Sequence, residues 1–184
     1  MGKRSEICMN WLPLLCRQLA LGLCVLPLLA RAQAADQCLG VMTDSQIIKS
    51  TFNESQSIGE AIRAVNRSQE SGDGRYTNLF FLSSPAALVF STGAMLTSAH
   101  GILLILFAHR ETEEKYAVAY RHAITSSTTA TQLFLANVRA LENALGQASS
   151  TKLTSEEKLL HRQLQAAVTR FKERYSSCRM VLPP

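Results

Sequence analysis

Between Arg75 and Arg110 the chain holds no Lys, Arg, Asp or Glu. A stretch this long without charge has few fates. Within it, Ser84 before Pro85 predicts a helix start, because Ser caps the first turn and proline lacks an N–H that would go unpaired there anyway. About 25 residues of helix, ending at His109 or Arg110, rise roughly 37 Å and exceed a hydrocarbon core of about 30 Å. The stretch is therefore either a membrane span or the centre of a helical bundle, since a helix apolar on every side suits both.

The flanking sequence is helical too. Hydrophobic residues make up 47% of the 184 residues and charged residues 18%, with nine Gly and five Pro, which argues against disorder and against a turn-rich all-β fold. Ile47, Ile48, Phe52, Ile58, Ile62 and Val65 recur at helical spacing, predicting a helix from about Asp44 to Arg67 with Thr43 and Gln46 as its capping box. "SQESGDGRYTN", Ser68 to Asn78, reads as a polar loop.

Beyond the apolar stretch, Ala117, Tyr120, Ile124, Ser127, Thr131, Phe134, Val138, Leu141 and Leu145 alternate steps of three and four. That is a heptad seam, and it wants a partner helix. Ser127 and Thr131 interrupt its apolar character, which predicts close helix approach there in preference to a local break. Gly146 is read as its stop. Thr154 to Glu157, "TSEE", is a second capping box and opens a helix through about Ser177, with Leu160, Leu164, Ala167, Val168, Phe171 and Tyr175 on its apolar face. The expected fold is all-α: about four helices in an antiparallel bundle or hairpin, one of them strongly apolar and a candidate transmembrane span.

The N-terminus reads as a secretory leader. Basic residues precede the apolar run Leu19 to Ala30, and Ala32 and Ala34 fit a signal peptidase pocket. The signal peptide then covers 1–34, with Met9 as a second candidate start. Removing it takes Lys3, Arg4, Arg17, Arg31 and Glu6, lowering the net charge from +5 to about +2 and leaving no electrostatic footprint for nucleic acid. Cys8, Cys16 and Cys24 go with it. Cys38 and Cys178 remain, one near each end, and an oxidising compartment invites a bridge between them.

Catalytic, cofactor and metal assignments find no support. There is no CxxC, no P-loop, no Gly-x-Ser-x-Gly and no Glu-x-x-His pair of the di-iron type. Met95 and His100 could be drawn as haem ligands, but a core histidine satisfied by a neighbouring hydroxyl is the better reading. Glu157 and His161, four apart, read as an exposed pair. The chain is expected to be no enzyme and to need no cofactor.

Gly93, Thr97 and Gly101 are spaced by four, with Ala94 and Ser98 as a second small row, and such rows let helices pack closely in either solvent. The expected organisation is 35–78 as N-terminal helix and loop, 79–110 as the apolar helix, and 111–184 as the hairpin. The leading expectation is an exported envelope protein, anchored in the inner membrane with a lipid bilayer as its partner, serving assembly or interaction, with the 111–177 hairpin taking either a protein partner or a second copy. The alternative is a soluble periplasmic, disulfide-closed four-helix bundle that binds a protein or an apolar ligand. A single span would hold Cys38 and Cys178 on opposite sides of the membrane; an up-down-up-down bundle brings both to one end.

Overall fold

The computed structural model describes residues 36–109, 114–148 and 152–181, with the backbone alone for 179–181. The expected leader, 1–34, and its alternative start at Met9 lie outside them. Four long helices follow a short helical stretch at 36–42: α1 (Ser45–Ser71), α2 (Ser83–His109), α3 (Tyr116–Gln147) and α4 (Ser155–Arg174). Two 3-10 segments, Thr77–Leu82 and Ser176–Val181, complete the path. No strand occurs among the described residues, and the all-α antiparallel bundle with one strongly apolar helix is the observed architecture.

Each helix boundary has a local cause. α1 is capped by Asp44, whose carboxylate accepts from Gln46 N–H at 2.7 Å and Ile47 N–H at 3.2 Å. Thr43, expected as the cap, instead donates its hydroxyl to the Leu39 carbonyl. A carboxylate one residue nearer the helix is the stronger acceptor for its positive end. Gly72, at φ 70°, ends α1 in the left-handed conformation that a side chain would resist. This carries α1 one turn beyond Arg67, into the expected loop.

At the start of α2, Ser84 does not cap. The 3-10 segment runs straight into Ser83, which is already helical at φ -59° and ψ -44°. Pro85 is tolerated because it lies in the first turn, where N–H groups lack intrahelical acceptors. α3 is continuous through Ser127 and Thr131 and includes Gly146, so glycine does not stop it. α4 opens on Thr154 with both halves of the capping box formed with Glu157.

α2 occupies the middle of the assembly, flanked by α1 and α3, while α4 closes the side away from it. Val89, Leu96, Leu103, Phe134, Val138, Leu141 and Phe171 are fully buried at the centre. Phe134 meets Phe171 edge-on with ring centroids 4.9 Å apart, and Tyr175 from a second side at 5.9 Å. The heptad seam of α3 faces this core, burying Tyr120, Ser127, Thr131, Phe134, Val138, Leu141 and Leu145. Its partners are helices of its own chain.

Cys38 and Cys178 form a disulfide with their Cα atoms 4.6 Å apart, closing the chain over a separation of 140 residues. On the chain-entropy model a loop of that size contributes on the order of 5 kcal/mol. Glu54 of α1 pairs with both Arg170 and Arg174, and Lys172 pairs with Glu142, so α4 is tied to α1 and α3 by charge as well as by packing.

Candidate functional site

Within the core, polar side chains concentrate where α2 approaches its neighbours. Ser127 donates its hydroxyl to the Ala99 carbonyl at 3.1 Å, a contact from α3 to the backbone of α2 that requires close approach. One turn along α3 from Ser127, the Thr131 hydroxyl lies 3.1 Å from Nε2 of the fully buried His100. Thr131 donates its own proton to the Ser127 carbonyl at 2.7 Å, so it accepts from His100 and fixes the Nε2–H tautomer. Nδ1 is left without a hydrogen-bond partner among the described residues. Burial lowers the His100 pKa to about 4, keeping the ring neutral. Tyr175, whose ring centroid lies 6.0 Å from that of His100, shares a 3.2 Å hydrogen bond with Thr51, and burial pushes its phenol up to about 12.

The α1–α2 contact is set by glycines. A Cβ on Gly93 would meet Ser55 Oγ at 2.1 Å, and one on Gly59 would meet the Phe90 ring at 2.8 Å. Thr97 is buried and bonds its hydroxyl back to its own helix. Gly101 differs, since nothing lies within 4 Å of its would-be Cβ. Of the three small residues expected to pack helices, Gly93 packs against α1, Thr97 is buried at the edge of a groove, and Gly101 lines that groove without a contact of its own.

Met95 and His100 point in different directions: His100 is buried while Met95 is 57% exposed, which removes the paired-ligand geometry. No group of three or more His, Cys, Asp or Glu side chains converges among the described residues. Glu157 is also unlike its expectation. It is fully buried, and its carboxylate accepts from the Asn78 N–H at 2.8 Å and the Asn78 side-chain amide at 3.1 Å as well as from its own cap. Burial pushes this carboxyl up, but the bonds from Thr154 and Asn78 outweigh it and hold the pKa below the ordinary value. His161, four residues on, reaches the Leu145 carbonyl at 3.0 Å instead of Glu157.

The outer half of α2 is the feature the sequence did not separate from the inner half. Leu88, Met95, Ile102 and Ile105 are between 48% and 63% exposed. Two grooves flank them. One, beside α3, is lined by Ala94, Met95, Ile102, Leu106, Ala119 and His122; the other, beside α1, by Ile48, Lys49, Phe52, Thr97, Gly101 and Leu104. The hydroxyls of Ser91 and Ser98 on this face bond back to carbonyls of α2 itself, at 3.2 and 3.0 Å, so the face can be covered without stranding them. The missed signal is the seven-residue spacing of Leu88, Met95 and Ile102. By length and composition Thr77–His109 could cross a membrane, and 39% of its most apolar window is buried.

The chain matches no protein-family model, no curated protein and no solved structure.

Proposed function

We propose that the protein is an exported, non-catalytic helical bundle of the cell envelope, closed by the Cys38–Cys178 bond, whose working surface is the outer face of α2. The observation that carries this reading is the exposure of Leu88, Met95, Ile102 and Ile105 along one uncharged face. Soluble proteins rarely leave contiguous apolar patches above a few hundred Å2 uncovered, and such patches mark docking surfaces.

The reading favours a bundle on one side of the membrane over a single crossing by α2. α1 and α3 both pack along α2, and the disulfide joins segments that a crossing would separate. It also favours surface docking over an internal apolar ligand. The core pocket bounded by Ile62, Val65, Leu79, Leu82 and Leu164 offers only about 10 Å3, the threshold for a single water.

The test is the accessibility of the face in cells. With Met95→Cys in the chain, a membrane-permeant maleimide applied to intact cells should leave that cysteine largely unlabelled while labelling it after denaturation. Rapid labelling in cells would show an uncovered face and end this reading.

A further inference from the structure

Three heptad rows run along the outer face of α2. Leu88, Met95 and Ile102 form a ridge on the side toward α3, with exposures of 48%, 57% and 57%. Ala87, Ala94, Gly101 and Ala108 form a shallow row of small residues across the face from the ridge, with Gly101 lining the groove beside α1 and Ala94 reaching the groove beside α3. Between them stands a row of exposed serines, Ser84, Ser91 and Ser98. A rotation of 180° about an axis parallel to α2, lying in the plane of the face, exchanges the two sides. It seats the ridge of one copy on the small-residue row of the other and sets serine row against serine row.

We propose that the occupant of this face is a second copy of the chain, packed through α2 in a parallel two-fold dimer; this rests on the docking role given above to the same face. In heptad terms the ridge takes one core position and the serines the other, with the alanine and glycine row beside them allowing close approach. Each copy offers a strip about 40 Å long, from 27 residues at 1.5 Å per residue. A width of about 20 Å, one interaxial spacing on each side, gives roughly 800 Å2 per copy, the amount a stable standard interface buries.

Charge argues for a protein surface over a bilayer. Helices that lie on membranes place Lys and Arg rows beside the apolar face. The residues lining the two grooves include one such cation, Lys49. Across the two-fold, the Phe52 flank of α1 in one copy faces the α3 flank of the other, where Ala119 and His122 line the groove.

Light scattering on the purified oxidised protein should return twice the chain mass at micromolar concentration. Met95→Glu should weaken the dimer at least about 30-fold, the scale of a central interface residue, with the helical circular dichroism signal and cooperative unfolding retained because Met95 is not in the core. Ser91→Cys and Ser98→Cys, made singly, should each cross-link to themselves. An antiparallel pair allows self-linking at only one of these levels, so cross-linking at one alone overturns the parallel arrangement. A wild-type monomer at about 100 µM, or a monomer that binds anionic vesicles, overturns the dimer. If such a monomer nevertheless keeps Met95→Cys protected in cells, the docking role survives with a different occupant; if the cysteine is labelled, both fall.

Discussion

The Nε2 of His100 on α2 lies 3.1 Å from the hydroxyl of Thr131 on α3, at full burial, with Nδ1 of the same ring unpartnered among the described residues. Burial holds the pKa at about 4 in the folded chain, against 6.5 for an ordinary histidine. Below pH 6.5 the unfolded chain gains a proton that the folded chain refuses. Stability therefore falls with pH, and the loss is complete near pH 4, at up to about 3 kcal/mol. Urea unfolding of the wild type and His100→Gln between pH 7.5 and 4 should show a steeper loss in the wild type. Parallel slopes would remove His100 from the acid response.

Gly93 and Gly101 share a small-residue row but should respond in opposite directions. At Gly93 an added methyl meets Ser55 and Phe134, the latter at 3.3 Å, and Ser55 Cβ at 2.8 Å cannot swing aside as its hydroxyl can. Gly93→Ala should cost about 2 kcal/mol. In the Met95→Glu background, where α2 carries no second copy, Gly101→Ala meets nothing within 4 Å and should stabilise by about 0.5–1 kcal/mol through helix propensity. Denaturant midpoints of the two variants check this; shifts of the same sign contradict the packing described.

That difference shows what the sequence could and could not convey. The α3 seam was legible because its apolar residues repeat on a helix whose other faces are polar. α2 is apolar on every side, so periodicity could not tell the face holding Leu96 and Leu103 from the face holding Met95 and Ile102. The Thr154–Glu157 cap was legible for being local. The burial of Glu157 was not, because Asn78 stands 79 residues away. The cap of α1 slipped by one residue, from Thr43 to Asp44, within a run of residues that can all cap. The disulfide was legible as a candidate from the two cysteines left beyond the leader, and topology decided it: the bundle permits the bond, and a single crossing does not.

Glu157 links α4 to the segment that leads into α2, so its charge should matter beyond its cap. Glu157→Gln should cost about 1–3 kcal/mol at pH 7, since charged hydrogen bonds from Asn78 and Thr154 are weakened. The folded carboxyl titrates below its ordinary value of 4.5, so its contribution is present above that pH and is lost on acidification through the lower folded value. Asn78→Ala should cost less in the Glu157→Gln background than alone. Full additivity in that double-mutant cycle would disprove the coupling.

The reading of α2 as the centre of one bundle, not a lone crossing, meets its most direct test at the chain ends. Protein recovered from cells under thiol-blocking conditions is digested without reduction and its cysteine peptides are mapped by mass spectrometry. The bundle predicts one linked species joining the Cys38 peptide to the Cys178 peptide. Both cysteines carrying the blocking reagent in exported protein would contradict it.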